Sequence, residues 1–158
     1  MKIRAIENKD NTALAVTIRK VLIELGVPKV GTAYEDVELD AMFEAYENER
    51  SIYYVVENDQ KIMGGAGIAP LEKGNPSVCE LQKMYFLSEA RGKGLGKQMI
   101  QMCLNFAKAN DFEQCYIETL PIMQEAQKLY IKTGFEYIDH ALGDTGHSSC
   151  QIRLIKSL

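Results

Sequence analysis

Three alternate glycines between a strand-like run and an amphipathic helix constrain this chain more than any other feature. They lie in Arg91-Gly92-Lys93-Gly94-Leu95-Gly96. Glycine opens positive φ and carries no side chain to hold a neighbour away. A helix opening there presents unpaired N–H groups and the positive end of its dipole, the elements of an anion site. The stretch therefore predicts a phosphate or pyrophosphate cradle. The plainer alternative is a tight turn that caps a helix.

Spacing removes two familiar cradles. A P-loop needs glycine five residues before its Gly-Lys pair and Ser or Thr after it. Here Arg91 holds the first position relative to Gly96-Lys97, and Gln98 holds the last. A dinucleotide fingerprint needs G-x-G-x-x-G, whose third glycine would fall on Lys97 or Met99. What remains is R-x-x-G-x-G.

Composition narrows the partners. At 158 residues the chain is expected to form one domain, 1–158, with a sizeable core. A formal charge of -4, with no dominant basic stripe, argues against nucleic acid. No apolar run reaches the ~20 residues of a membrane span, and no signal-peptide pattern opens the chain. The expectation is a cytoplasmic protein with no membrane partner. Cys79, Cys103, Cys115 and Cys150 form no CxxC pair, so free buried thiols are expected. His147-x-x-Cys150 offers half a metal site without a second half, so no metal is expected.

The pattern along the chain reads as a strand (Met1 to Ile6), then a helix from Asp10-Asn11 to Gly26, a connector, and a second helix from Asp36 to Asn48. A hairpin follows, with Ile52 to Glu57 and Lys61 to Ala69 about a turn at Asn58-Asp59-Gln60. Gly64, Gly65 and Gly67 in its second strand predict a bulge or the close approach of another backbone. Val78 to Leu87 reads as a long strand broken by Glu80, Gln82 and Lys83. After the glycine stretch come a helix to Ala109, a strand (Gln114 to Leu120), a helix from Pro121 closed by Gly134, and strands at Phe135 to Ile138 and Cys150 to Ile155. This order predicts an α/β (α+β) mixed sheet with helices on both faces.

Two motifs at this separation resemble the GNAT superfamily of N-acetyltransferases. The strand Cys79 to Leu87 runs through Ser88-Glu89-Ala90 into R-x-x-G-x-G. One strand later Ala126-x-x-Leu129-Tyr130-x-x-x-Gly134-Phe135 is similar to the family's A-x-x-L-Y-x-x-x-G-F helix. The likeness is close in the C-terminal half and rests only on element order in the first. It implies a mostly antiparallel sheet of about six to seven strands with a V-shaped splay between the central ones.

The resemblance also implies chemistry. Acetyl-CoA is the cosubstrate, its pyrophosphate held by Arg91, Gly92, Lys93, Gly94, Leu95, Gly96 and Lys97. Backbone amides at Tyr85, Phe86 and Leu87 would bind the pantetheine and acetyl carbonyl. Tyr130 matches the general acid beside the sulfur, and Glu80 stands where many members place a base; Glu118 and His147 are the alternatives. Many members carry asparagine three residues before the helix alanine, where this chain has Met123. Tyr34-Glu35-Asp36, Tyr54 and the His140 to Cys150 tail are candidate acceptor contacts. The implied activity is direct acetyl transfer, in a ternary complex, to the primary amine of a small molecule such as an amino acid or polyamine. Acetylation of a protein lysine or N-terminus is the alternative, and a CoA-binding sensor without catalysis is the alternative from another class. Members often dimerise through edge strands, which leaves a homodimer open.

Overall fold

The computed structural model describes all 158 residues. The chain folds into one seven-stranded sheet in the order β1-β2-β3-β4-β5-β7-β6. Its strands are β1 (Lys2–Ala5), β2 (Ile52–Asn58), β3 (Lys61–Pro70), β4 (Val78–Phe86), β5 (Gln114–Thr119), β6 (Glu136–Ile138) and β7 (Ile152–Ser157). Every neighbouring pair is antiparallel except β4 with β5. The helices are α1 (Asn11–Glu24), α2 (Met42–Ala45), α3 (Leu95–Ala109) and α4 (Gln124–Lys132). The mixed sheet and α/β class predicted from the sequence are observed.

Apolar residues fill both faces. Leu14, Ile18 and Leu22 of α1 pack with Leu39, Met42, Tyr53 and Val55. Met99, Ile100 and Cys103 of α3 pack on the other face with Val56, Ala66, Ile68 and Leu81, and Tyr130 of α4 joins them. Alternate residues of β2 thus feed opposite layers, as the period of two requires.

Two irregularities make the site. Between Gln82 and Tyr85, β4 carries one residue more than β3 does between Gly65 and Gly67. Lys83, at φ 49°, takes the left-handed backbone of that bulge. The second irregularity lies between β4 and β5, whose parallel pairing covers only Val78, Cys79 and Glu80 against Gln114, Cys115 and Tyr116. Beyond Glu80 the two strands part in a V. The glycines of β3 explain themselves on either side of it. A Cβ on Gly64 would strike the carbonyl oxygen of Tyr85, and one on Gly67 would lie 2.6 Å from Tyr53 Cδ2.

Three boundaries differ from expectation. The helix predicted over Asp36 to Asn48 is a 3-10 turn at Val37–Ala41 followed by the single turn of α2. The N–H of Phe43 donates to Asn11 Oδ1 at 2.8 Å, leaving the α-helical ladder. The helix predicted from Pro121 begins at Gln124, and the last strand begins at Ile152, because Cys150 N–H still closes a turn onto His147 O.

Candidate active site

The V opens into a cavity of about 630 Å³ running from the glycine loop to Tyr130. α3 starts at Gly94, whose φ of 78° makes a left-handed N-cap without a side-chain hydrogen bond. No acidic residue occupies the first turn of α3. Its leading amides and its dipole therefore face the cavity uncompensated, a place suited to an anion. Gly92, at φ 71°, gives the loop its second left-handed residue. Arg91 and Lys97 supply positive charge at this end of the cavity, whose wall from Val21, Leu25, Met84, Ala126 and Leu129 is apolar. Glu125 also lines the rim, 2.6 Å from Lys128.

Backbone geometry at the end of β4 is specific. Leu87 donates its N–H to Met63 O at 2.8 Å, on the β3 side. Strand alternation then turns the N–H and carbonyl of Phe86 the other way, into the gap left by β5. Arg91 Nε donates to that carbonyl at 2.8 Å and its Nη1 pairs with Glu24 at 3.0 Å, fixing the loop against both neighbours. Of the expected donors Tyr85, Phe86 and Leu87, Phe86 offers an open N–H, whereas that of Leu87 is taken. Leu95 is buried and offers only backbone, and Lys93 stands in solvent without lining the cavity.

Tyr130 is placed by the end of its own helix. Phe135 N–H bonds Tyr130 O at 3.1 Å across Gly134, whose φ is 95°. That is a Schellman closure, and its expected apolar contact is the edge-on pair of Tyr130 and Phe135, with ring centroids 6.1 Å apart. The L-Y-x-x-x-G-F pattern is thus a helix stop that aims the tyrosine. Tyr130 lines the large cavity and also a smaller pocket shared with Leu81, Lys83, Glu118 and Cys150. Burial pushes its phenol well above the ordinary range, so it keeps its proton at physiological pH. Met123, at the N-cap of α4, lines both cavities too, and no side chain caps this helix.

A third cavity, of about 490 Å³, lies beyond the bulge. Glu80 is at its floor, 4% exposed, and burial raises its carboxyl to about 7 even though Gln82 Nε2 donates to it at 2.6 Å. Lys83 reaches the same cavity and pairs with Asp36 at 3.0 Å and with Glu38. Burial works against the charge on Lys83, but those two carboxylates outweigh it and raise its pKa. His147 Nε2 lies 3.0 Å from both oxygens of Asp36. Burial would lower its pKa, yet Asp36 raises it overall, which favours an imidazolium. Asp36 itself is held low by His147 and Lys83 against the cost of burial.

The other sequence candidates fall apart spatially. Glu118 lines the small pocket and accepts from Tyr116 at 2.7 Å and Thr145 at 2.6 Å, anchoring the loop before β7. Tyr34 packs beside the α1-side core under Lys29, and exposed Glu35 accepts the N–H of Gly31. Tyr54 belongs to the α3 face, opposite Glu80. Tyr46, Gln82, Lys83 and Glu38 line the third cavity with no sequence motif to mark them. The only signal available was polar residues inside a strand pattern at Gln82 and Lys83.

Comparison with known proteins gives a consistent answer. The family model described as "Acetyltransferase (GNAT) family" matches residues 20–135. A protein of Escherichia coli K12 named "Uncharacterized N-acetyltransferase YjgM" is 42% identical over 156 residues, covering 98% of this chain and 93% of that one. Human N-acetyltransferase 8B is 27% identical over 117 residues, 68% of this chain and 51% of that protein. A GNAT acetyltransferase from Staphylococcus aureus Mu50 superposes with a TM-score of 0.87 at 19% identity, covering 99% of this chain and 98% of that one. A phosphinothricin acetyltransferase from Sinorhizobium meliloti, solved in complex with AcCoA, gives 0.78 at 18% identity, covering 99% and 88%. The chain belongs to the GNAT family of acetyltransferases and is an N-acetyltransferase.

Proposed function

We propose that the enzyme transfers acetyl from acetyl-CoA to a primary amine of a small molecule by direct attack in a ternary complex. One observation carries this reading: β4 parts from β5 just after Glu80, a buried carboxyl that lines the third cavity, while Tyr130 lines the first two. The residues of the larger cavity fit acetyl-CoA. The uncapped N-terminus of α3, Arg91 and Lys97 suit a pyrophosphate, and the apolar wall suits a pantetheine arm. A neighbour of the same fold was solved with that ligand.

The steps assign one task to each group. Glu80, with its carboxyl near neutrality, accepts a proton from the incoming ammonium, directly or through water, and releases it to solvent. The freed amine nitrogen attacks the thioester carbon. The N–H of Phe86 meets the oxygen that gains charge, a contribution of ~3 kcal/mol for a donor so placed. The C–S bond breaks, and Tyr130 gives its proton to the departing sulfur. It regains one from the acylated nitrogen, so the sum is amide, free thiol and one proton released. Burial raises the basicity of the thiolate as well as that of the phenol, which keeps this transfer feasible.

A small acceptor is favoured by the ion pairs that bridge the lining of the third cavity. Asp36 joins the segment before α2 to His147 in the loop before β7, and Lys83 ties the same carboxylate to the sheet. A peptide would have to part these contacts. Thiol release measured across diamines, amino acids and lysine peptides tests the reading. Saturable turnover of one small amine is expected; turnover of peptides alone, or tight CoA binding without turnover, would overturn it.

A further inference from the structure

The glycines of β3 have a role that the reaction scheme above leaves unused. Tyr46 and Tyr53 lie side by side against this strand, their ring centroids 5.2 Å apart. A Cβ on Gly67 would sit 2.7 Å from Tyr46 Cε1 and 2.6 Å from Tyr53 Cδ2, and one on Gly65 would sit 2.5 Å from Tyr53 Cε1. Neither ring could lie so close to a strand with side chains. From this floor each hydroxyl reaches β4 at the bulge. Tyr53 donates to Lys83 O at 2.8 Å, and Tyr46 donates to Gln82 Oε1 at 2.6 Å. Gln82 Nε2 then donates to Glu80 Oε2 at 2.6 Å. Chemistry sets the direction of this chain: an ionised carboxylate can only accept, so the Gln82 amide must turn its NH₂ toward Glu80 and its oxygen toward the phenol.

We propose that Gln82 and Tyr46 are positioning residues for the Glu80 carboxylate, and that the β3 glycines are the floor on which this chain is built. The proposal rests on the reading of Glu80 as the base. Tyr46 is buried and holds its proton, so it acts as a fixed donor rather than a proton carrier. Fixing the Gln82 oxygen leaves its NH₂ no other orientation. One oxygen of Glu80 is thereby occupied and the other is left for the acceptor. The same hydrogen bond favours the ionised form of Glu80 against the burial that opposes it. The other charged groups facing this carboxyl are Glu118 from β5, Lys83 on β4, His147 from the loop before β7, and Asp36 and Glu38 before α2. Of these, Glu118 works in the opposite sense to Gln82, while Lys83 and His147 support ionisation.

The test is the pH dependence of kcat/KM in the full enzyme, between about pH 5 and 9, with acetyl-CoA and one accepted amine. Gln82→Leu should move the acid limb up by about half a unit or more, with KM for acetyl-CoA unchanged. Gln82→Glu should move it further, because a second carboxylate then faces the first. Tyr46→Phe should move it in the same direction by less, and Gly67→Ala likewise by pressing on the Tyr46 ring. A merely structural role would lower the melting temperature and leave the limb in place. Glu80→Gln separates the two levels of inference. If it leaves the acid limb intact, Glu80 is not the base and both readings fall. If it abolishes the limb while Gln82→Leu and Tyr46→Phe leave theirs unmoved, only the positioning role is overturned. Tyr46→Phe keeps the ring packing and carries the test should Gln82→Leu not fold.

Discussion

A carboxyl that is 4% exposed and raised from 4.5 to about 7 is a cost to stability, and the proposed role of Glu80 as base gives that cost a use. Between those two pH values the folded chain retains a proton that the unfolded chain has released. The contribution of Glu80 to stability therefore falls as pH rises from about 4.5 to about 7, then levels. The shift corresponds to ~3 kcal/mol as an upper figure. Glu80→Gln is accordingly expected to be the more stable protein at pH 8 and nearly equal to the parent at pH 4.5. Urea unfolding at the two pH values checks this, and a gap that does not widen with pH would refute it. Its kcat/KM should fall about 10²-fold or more near neutrality. Tyr130→Phe should lower kcat by a similar factor while leaving KM for acetyl-CoA almost unchanged, since the ring that lines the cavity is retained. At this scale Tyr130 and the glycine loop stood out as candidates because each belongs to a local motif, and Glu80 because of its place on the strand before the loop; Lys93 is the loop residue that lies in solvent away from the cavity. Gln82 and Lys83 were harder to read: Tyr46 bonds the first, Asp36 and Glu38 pair with the second, all from other elements, and local periodicity carries no information about such contacts.

α3 and α4 each depend on one glycine at a terminus, and the two do different work. Gly94 opens α3 at φ 78° with no atom within 4 Å of a hypothetical Cβ, so backbone conformation alone excludes a side chain there. Gly94→Ala should cost ~1–2 kcal/mol, read from the denaturation midpoint, and should raise KM for acetyl-CoA. Gly94→Asn, better tolerated in the left-handed region, should cost less. An alanine variant of parental stability with impaired acetyl-CoA binding would show instead that the glycine clears space for the ligand. Gly96 is the contrasting case, because its Cβ would meet Leu129 Cδ2 at 2.8 Å and that methyl would have to move out of the α3–α4 contact. The elements themselves were mostly readable, since the strands alternate and α1, α3 and α4 repeat at helical spacing. Asp36 to Asn48 was misread for an identifiable reason. Leu39, Met42, Phe43 and Tyr46 have helical spacing, but Lys83 holds Asp36 and Glu38, and Asn11 takes the Phe43 amide. Tertiary bonds overrode the local period.

The molecule as a whole is two sheet halves joined at a narrow hinge of pairing. β1 to β4 form one antiparallel block and β5, β7 and β6 another, and three residues of β4 face three of β5 between them. Past Glu80 the wall of each half is the wall of a cavity, so a ligand in the V touches both blocks at once: Met84 to Phe86 on one side, Ile122 to Tyr130 on the other. A ligand that bridges two blocks acts as the missing pairing. Acetyl-CoA at about 100 times its Kd should then stabilise the fold by ~2.7 kcal/mol, a rise of about 5–10 °C in Tm for a chain of this size. Such a shift follows from binding anywhere on the folded state, so its location is the informative part. Hydrogen exchange should slow along Leu81 to Phe86 and Ile117 to Thr119, the stretches that face each other without pairing, and in the first turn of α3. Protection confined to the α3 turn would mean that the ligand is held by its phosphates alone and that the two halves move independently of it. Protection of both strands would make the open V the element that ligand binding completes.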